Sequence, residues 1–357
     1  MYRFRIRVVY PLSATPLTRP HLVLRTCLDW DRDVHPVTAE DGGDSATFEI
    51  EGPDPFLDFK PCLVHGNRIV WSKGANKLAV AGRDDEPDVQ EVYPYFFATD
   101  RGEVGPRESL ASDHLGRELL VRIYRPPGYR ENGLKRYPVL YMHDGQNLFF
   151  AEEAFLGREW RVDETLRVLD AMNAIDQTLV VGIHSGGGHR EHDYSMHGWA
   201  DYAPAVVEEL KPWIDRRERT LPGRSRTGVV GSSLGGVISL YLAWRWPHVF
   251  GNVASLSGAF WYENDLAARV RRDPVGPRRH LKLYLDSGWP DDNYEVTLSM
   301  ANALLDAGFR YGSSLLHFAF PYARHTEGAW AARAHLPIQF FTGRLARRAA
   351  ALGQGGG

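Results

Sequence analysis

A serine turn flanked by glycines constrains what this chain can fold into more than any other segment. The turn is Gly231-Ser-Ser-Leu-Gly235. The sequence of residues 226–230 before it is typical of a short apolar strand, and that of residues 236–244 after it is typical of a buried helix. A side chain at either glycine would collide where the strand and the helix nearly touch. The sequence therefore predicts a strand, a sharp turn with Ser233 at its tip, and a helix.

The pattern Gly-x-Ser-x-Gly needs this context, because a chain with 35 glycines in 357 residues produces it by chance. One interpretation is a nucleophile elbow, which presents a serine for attack on a substrate. The alternative is a glycine-rich turn that binds a phosphate at the N-terminus of a helix. The lysine and the hydroxyl residue that complete a phosphate-binding P-loop are absent, which favours the elbow.

The composition narrows the possible partners. A length of 357 residues suits two domains of unequal size, and a net charge of −3 gives no general attraction to nucleic acid or to an anionic membrane. The two cysteines, Cys27 and Cys62, predict no disulfide framework. No apolar run has membrane-spanning length, and residues 1–10 alternate like a strand instead of forming the apolar core of a signal peptide. We expect a soluble, cytoplasmic protein without nucleic-acid or membrane partners, of undetermined oligomeric state.

The first part of the chain, residues 1–103, has the pattern of short strands separated by turns rich in Pro, Gly and Asp. This pattern predicts a small β-sandwich, either immunoglobulin-like or carbohydrate-module-like. The hairpin sequence at residues 59–76 resembles the corresponding hairpin of starch-binding and glycogen-binding modules, in which exposed tryptophans stack on sugar rings. We expect Trp71 to lie in the sandwich core, and stacking of Trp71 or Trp30 on a sugar is the alternative.

From about residue 104 onwards, apolar strands alternate with helices. Segments such as Leu179-Val-Val-Gly-Ile183 are apolar throughout, as expected when helices cover both faces of a sheet. Together with the serine turn, this alternation predicts that residues 104–346 form a doubly wound, mostly parallel sheet of the α/β-hydrolase type. The glycine-rich residues 347–357 are predicted to be a disordered tail.

A serine hydroxyl is a weak nucleophile at neutral pH, so Ser233 needs a histidine as general base and a carboxylate that orients it. In an α/β-hydrolase the acid and then the histidine follow the serine, each on a loop after a later strand. His325 is the only histidine on the loop after the predicted strand 315–320. His317, within that strand, and His335, in the following helix, are predicted to be structural.

Three aspartates follow the preceding strand, residues 281–285, and are candidates for the acid. Asp286 directly closes the strand, where a carboxylate tends to accept hydrogen bonds within its own turn. Asp291 and Asp292 lie further along the loop, after Gly288. We therefore rank Asp292 slightly ahead of Asp291, with Asp286 third.

The tetrahedral intermediate of acyl transfer needs hydrogen-bond donors for its oxyanion. One candidate is the backbone N–H of Leu234, the residue after the nucleophile. The other donor should come from the loop after an early strand, where Gly145 is expected to let the backbone turn an N–H inwards, so the amide of Gly145 or Gln146 is the candidate. His143 and Asp144 are assigned to this loop and not to the reacting groups.

The glycine-rich segment 184–197 carries several histidines and could suggest a metal site. Metal ligands usually lie on rigid elements, so we favour a border of the active-site crevice, with Arg190 and Glu191 in contact with substrate. The aromatic segment 260–263, which includes Trp261, is a candidate acyl or ring pocket. We expect neither a metal nor a cofactor. The histidines of the segment are His184, His189, His192 and His197.

Four parts of the chain carry a family resemblance: residues 137–147, residues 231–236, residues 246–258, and His325 with Trp330. In order and spacing they resemble the esterase family that includes enterobactin esterases, feruloyl and other carbohydrate esterases, esterase D and secreted mycolyltransferases. The resemblance covers residues 104–345 and is strongest to enterobactin-type esterases, which also carry an N-terminal β-sandwich. It departs from the mycolyltransferases and esterase D at Leu234, where those enzymes have Met.

The resemblance and the ordered set of serine, acid, histidine and oxyanion loop predict a serine esterase that forms an acyl-enzyme on Ser233. The expected partner is a small-molecule or glycan ester, whose acyl and alcohol parts the sequence does not identify. Three alternatives stay open: acyl transfer by the same residues, a catalytically inert carbohydrate-binding or scaffold protein, and metal-dependent hydrolysis through the segment 184–197.

Overall fold

The computed structural model describes residues 1–39, 44–81 and 89–344, so the tail predicted at 347–357 lies outside the described residues. The N-terminal strands form two sheets, in the orders β4-β5-β1-β9 and β3-β2-β6-β7, with β8 also paired to β6. These strands are β1 (Tyr2–Val9), β2 (His21–Thr26), β3 (Asp29–Val34), β4 (Thr38–Ala39), β5 (Ser45–Gly52), β6 (Phe56–His65), β7 (Arg68–Trp71), β8 (Lys77–Val80) and β9 (Val89–Val92).

The two N-terminal sheets share one hydrophobic core because their strands alternate between buried and more exposed residues. In β1, Phe4, Ile6 and Val8 are buried, and the arginines between them are partly exposed. The buried residues of β1 pack in one cluster with Phe48 of β5 and Phe59 of β6. The predicted N-terminal β-sandwich is thus confirmed.

Trp71 does not lie in the sandwich core, and that prediction is wrong. Leu63 of β6 faces the core and is paired across the ladder with Val70 of β7. Since successive residues of a strand point to opposite faces, Trp71 lies on the outer face, where it is 37% exposed. Its ring centre is 6.3 Å from that of Trp30.

The C-terminal part contains one sheet with helices around it. Its strands are β10 (Glu103–Ser112), β11 (Arg117–Arg125), β12 (Val139–His143), β13 (Leu179–Ile183), β14 (Thr227–Ser232), β15 (Asn252–Leu256), β16 (Lys282–Trp289) and β17 (Leu315–Pro321). The α-helices are α1 (Val162–Ala171), α2 (Arg190–Tyr194), α3 (Trp199–Pro204), α4 (Lys211–Arg217), α5 (Leu234–Arg245), α6 (Leu266–Arg272), α7 (Tyr294–Asp306), α8 (Glu327–Arg333) and α9 (His335–Thr342), and a π-helical segment, Ala205–Leu210, joins α3 to α4.

The strand order of this sheet is β10-β11-β13-β12-β14-β15-β16-β17. Strand β11 is antiparallel to both of its neighbours, and all pairs from β13 to β17 are parallel. Every residue of β12, β13, β14 and β15 is buried, because helices cover both faces. The predicted doubly wound, mostly parallel sheet is confirmed; β10, at the open edge, was not predicted. Among the described residues, no helix is long and apolar enough to cross a membrane.

Two adjacent residues, Glu131 and Asn132, attach the sandwich to the α/β part. The Glu131 carboxylate accepts hydrogen bonds from the Tyr10 hydroxyl at 3.0 Å and from the Phe96 amide at 2.6 Å. The Asn132 side chain donates to the Val9 carbonyl and to the Pro94 carbonyl, both at 2.9 Å. Because these acceptors belong to β1 and to the chain after β9, the two parts hold a defined relative position.

Candidate active site

Ser233 stands between β14 and α5 in a backbone conformation that few residues adopt. Its φ of 55° and ψ of −123° lie outside the common regions for an L-residue. The Ser233 amide donates to the Leu256 carbonyl of β15 at 2.9 Å, which holds the turn against the neighbouring strand. A Cβ on Gly231 would lie 2.3 Å from the Gly235 carbonyl oxygen, so the strand and the helix approach closely only because this residue is glycine.

His325 connects Ser233 to Asp292 by two hydrogen bonds. Its Nε2 lies 2.9 Å from Ser233 Oγ, and its Nδ1 lies 2.7 Å from Asp292 Oδ1. Since an ionised carboxylate only accepts hydrogen bonds, Nδ1 carries the proton and Nε2 is left to accept the hydrogen of the serine hydroxyl. The indole of Trp330 packs edge-on against the imidazole, with 4.9 Å between ring centres.

The Asp292 carboxylate is buried and well supplied with donors. Oδ2 accepts from Ser257 Oγ at 2.5 Å and from the Gly288 amide at 2.7 Å, and Oδ1 also accepts from the Asn293 amide at 2.8 Å. Burial alone would raise the pKa of Asp292, but the hydrogen bonds from His325, Ser257 and the two amides lower it to about 2. Asp292 is therefore ionised at every pH at which His325 would act as a base.

The other two candidate acids lie elsewhere. Asp291 is exposed, and its neighbour Asp292 alone reaches His325. Asp286 was ranked third on the expectation that it lies in a turn, but strand β16 continues through it to Trp289. It is fully buried, with Arg333 Nη2 at 3.1 Å from Oδ1 and the Tyr284 hydroxyl at 2.8 Å from Oδ2. Burial raises the pKa of Asp286 to about 6 against the opposing effect of Arg333.

The candidate oxyanion donors lie at the start of helix α5 and of a 3₁₀ turn. Leu234 is the first residue of α5, so its N–H is one of the donors that a helix leaves unpaired at its N-terminus. Gly145 and Gln146 begin a 3₁₀ turn after β12. The Gln146 side chain donates a hydrogen bond to Ser185 Oγ and accepts one from the Ser185 amide, both at 3.0 Å. The left-handed residue is Asp144, at φ 55°, and not Gly145.

Gly145 also allows a close approach of two backbone segments, which was not predicted. A Cβ on Gly145 would lie 2.4 Å from the Gly182 carbonyl carbon of β13. The loop after β12 thus crosses the neighbouring strand in direct backbone contact, which only glycine permits.

Arg190 binds Asp144 through both guanidinium branches. Nε lies 2.6 Å from Oδ1 and Nη2 lies 2.7 Å from Oδ2, and the Asp144 side chain is only 5% exposed. Although burial disfavours its charge, the Asp144 carboxylate raises the pKa of Arg190 above the usual value for arginine. The residue expected to contact substrate therefore uses its hydrogen-bonding edge to hold the oxyanion loop. Glu191, the second such residue, accepts a hydrogen bond from the Tyr262 hydroxyl.

The histidines of segment 184–197 differ in burial and in the residues they contact. His184 is buried and burial lowers its pKa to about 4, His189 is exposed, and His197 Nε2 lies 3.1 Å from Glu263. His192 Nδ1 lies 3.8 Å from Asp193. In the part of the chain that the structure describes, no group of three or more His, Cys, Asp or Glu residues could hold a metal ion.

Trp261 lies at the rim of the site and is 65% exposed. Its Nε1 donates to Asn293 Oδ1 at 3.0 Å, and the Asn293 side chain in turn donates to the Ser257 carbonyl at 2.8 Å. The predicted aromatic segment is thus attached directly to the residues around Asp292. Sequence reasoning did not assign roles to Ser257, Asn293 and Arg333, although Ser257 lies in a segment that carries the family resemblance.

A family model described as "Putative esterase" matches residues 112–333, well over half of the chain. The chain is 28% identical over 159 residues to the uncharacterized protein YbbA of Bacillus subtilis, a match that spans 43% of this chain and 62% of that protein. It is 38% identical over 74 residues to the iron(III) enterobactin esterase of Escherichia coli K12, which is 21% of this chain and 18% of that enzyme.

Two solved structures share the fold. A ferulic acid esterase superimposes with a TM-score of 0.57 at 19% identity, over 68% of this chain and 98% of that one. The enterochelin esterase of Shigella flexneri gives a TM-score of 0.55 at 16% identity, over 95% of this chain and 91% of that one. The second match extends over the N-terminal sandwich as well as the α/β part. By its family match and its fold, the chain belongs to the esterase family of α/β-hydrolases.

Proposed function

We propose that this protein is a serine carboxylic ester hydrolase with Ser233 as the nucleophile, His325 as the general base and Asp292 as the residue that orients the histidine. The observation that carries the proposal is the continuous chain of hydrogen bonds from Ser233 Oγ to His325 at 2.9 Å and from His325 to Asp292 at 2.7 Å. These distances match what general-base activation of a serine requires.

In the proposed reaction, Ser233 Oγ attacks the ester carbonyl carbon while its proton passes to His325 Nε2. The carbonyl oxygen becomes an oxyanion, which accepts hydrogen bonds from the Leu234 amide and from the amide of Gly145 or Gln146. His325 then donates its proton to the departing alkoxide, and an alcohol leaves. A water molecule repeats the sequence on the acyl-enzyme, so the products are one carboxylic acid, one alcohol and free Ser233.

Hydrolysis requires that water reach the general base. The His325 side chain is 37% exposed, so water has access to the atom that would activate it. Gly288, Ser257 and Trp330, on the other side of the Asp292 carboxylate, are by contrast buried.

We propose a small-molecule or glycan ester as the substrate. Trp261 offers an exposed aromatic surface beside the triad, which suits a flat acyl or alcohol group. One structural neighbour is a ferulic acid esterase, and ferulic acid is an aromatic acid, which agrees with this surface.

The test is labelling and turnover in a matched pair of variants. A fluorophosphonate probe should label the wild-type chain and the variant Ser232→Ala, and it should not label Ser233→Ala. Hydrolysis of a panel of p-nitrophenyl esters should be lost in Ser233→Ala alone and should be unaffected by EDTA. Retained turnover in Ser233→Ala would refute the assignment, and loss of turnover in EDTA would favour a metal-dependent reaction. Glycan binding without any turnover would favour an inert binding protein.

A further inference from the structure

A cavity of about 430 Å³ lies between the β-sandwich and the α/β part. The sandwich contributes Lys73, Lys77 and residues 91–95, and the α/β part contributes Lys135 and the residues that precede three strands of the sheet. Glu131 and Asn132 fix the two parts against each other nearby. The cavity is therefore a defined feature of the joint between the two parts.

This cavity is not the candidate active site. Pro138 and Arg226 line it, and they directly precede β12 and β14, so it lies at the N-terminal edge of the parallel strands. Ser233 follows the C-terminal end of β14. A six-residue strand is roughly 20 Å long, so the two sites lie at opposite edges of the sheet.

Basic side chains outnumber acidic ones in the lining of the cavity. The basic residues are Lys73, Lys77, Lys135, Arg136, Arg226 and Arg344, and the acidic residues are Glu91, Asp170 and Asp176. The acids already have partners: Asp176 lies 3.1 Å from Arg226 and 3.6 Å from Arg344, and Glu91 lies 3.0 Å from Arg7. Asp170 accepts a hydrogen bond from Gln177 at 2.9 Å.

Two lysines of the cavity, Lys77 and Lys135, face more positive than negative charge in the lining, although the carboxylate of Asp170 attracts both. Lys135 Nζ donates to the neutral Gln177 side chain at 2.5 Å, and within residues 1–39, 44–81 and 89–344 neither Lys135 nor Lys77 forms an ion pair. Burial, and then repulsion by Lys77, lowers the pKa of Lys135 to about 7, and burial also lowers the pKa of Lys77. Both lysines are partly buried and repel each other across the cavity, and a bound anion would offset that repulsion.

Much of the remaining lining is apolar. Val92, Pro94 and Ile175 are buried, and the ring of Tyr93 is half-buried. The volume lies within the usual range of about 300–1,000 Å³ for small-molecule sites. We propose that this cavity binds a small organic anion with at least two negative charges, whose charged groups contact Lys77 and Lys135 and whose body packs on the apolar wall.

Calorimetric titration of the full chain with three probes tests this site. The probes are AMP, citrate and inorganic phosphate, each at an ionic strength held constant with sodium chloride. We expect one saturable site for AMP or for citrate, and a higher midpoint of thermal unfolding with the bound probe. AMP and citrate distinguish a phosphate ester from a polycarboxylate, and inorganic phosphate tests whether the organic body contributes.

The variants Lys77→Gln and Lys135→Gln should each weaken binding by about tenfold or more, since each removes a charge-assisted contact. Without a probe, neither should unfold at a lower temperature than the wild type, because each loses a desolvated charge. Arg310→Gln removes one exposed positive charge outside the cavity and is the matched control. Ester hydrolysis should be unchanged in all three. The proposal is overturned if no probe saturates, if inorganic phosphate binds as tightly as the organic anions, or if both lysine variants bind like the wild type.

Discussion

Ser257 Oγ donates a 2.5 Å hydrogen bond to Asp292 Oδ2, the carboxylate oxygen that does not bind His325. The same hydroxyl accepts from Trp330 Nε1 and from Arg333 Nη2, both at 3.0 Å. A hydroxyl has one hydrogen and two lone pairs, so these three bonds use its full capacity. Because both acceptor positions are occupied, the hydrogen of Ser257 is directed at Asp292.

Ser257→Ala should lower kcat for a small ester by about tenfold, because Asp292 loses a charge-assisted bond that orients it. KM should change little, since Ser257 is fully buried and does not reach the substrate. Ser255→Ala is the matched control: Ser255 is also fully buried, and its Oγ has no hydrogen-bond partner in the described part of the chain. Equal kcat values in the two variants would contradict the positioning role of Ser257.

Asp292→Asn should lower kcat by roughly 10³–10⁴, since an amide at this position no longer fixes the Nδ1–H tautomer of His325. Asp291→Asn makes the same chemical change at the neighbouring exposed residue and should leave kcat within about twofold of the wild type. Steady-state kinetics of both variants on one p-nitrophenyl ester measures the difference. A large loss in Asp291→Asn would reverse the assignment.

The pair of Arg190 and Asp144 separates a positioning role from a substrate-binding role. Arg190→Gln leaves the Asp144 carboxylate buried without its ion pair, so we expect a destabilisation of about 3 kcal/mol and a lower kcat with little change in KM. The double variant Arg190→Gln with Asp144→Asn should recover most of the stability without recovering kcat. If Arg190 contacted substrate directly, KM would rise instead. Urea unfolding and kinetics of the two variants distinguish these outcomes.

The parts of the site that follow a strand could be predicted from the sequence. Ser233, Asp292 and His325 each lie beyond the C-terminal end of a parallel strand, and in this fold such ends meet at one edge of the sheet. Chain order alone was therefore enough to select the serine and the histidine that lie within hydrogen-bond distance of each other in the structure. Asp292 could be ranked only slightly ahead of Asp291, because the direction of each carboxylate depends on the loop conformation.

The parts that depend on long-range packing could not be predicted. Arg333 reaches Asp286 and Ser257 from a helix that lies some fifty to eighty residues further along the chain, and no local pattern indicates such a pairing. Trp71 was misplaced because the pairing of β7 with β6 decides which residues of β7 face the core, and the sequence of β7 alone does not show that pairing. The left-handed conformation of Asp144 in the oxyanion loop was not predicted either, and the carboxylate of this residue is paired with the distant Arg190.

Trp261→Ala should raise KM for esters of aromatic acids by about three- to tenfold and should leave KM for acetate esters unchanged. The indole is exposed beside the triad, and stacking on a flat acyl group is worth about 0.5–1.5 kcal/mol. Trp71→Ala, which removes an exposed indole on the sandwich, is the matched control. Equal effects of both variants, or a rise in KM for acetate esters, would argue against an aromatic subsite at Trp261.

His143 should make the protein sensitive to acid. It is 1% exposed, and burial lowers its pKa to about 4 from an unfolded value near 6.5. Between these values the unfolded chain binds a proton that the native protein excludes, so the free energy of unfolding falls as the pH falls, by up to about 3 kcal/mol. Urea unfolding between pH 7 and pH 4.5, where Asp292 stays ionised, measures this loss. His143→Gln should reduce the dependence by the share of His143 and leave the share of His184, whose pKa burial also lowers to about 4, whereas His248→Gln, at an exposed position, should keep all of it. Parallel curves for the wild type and His143→Gln would show that another group is responsible.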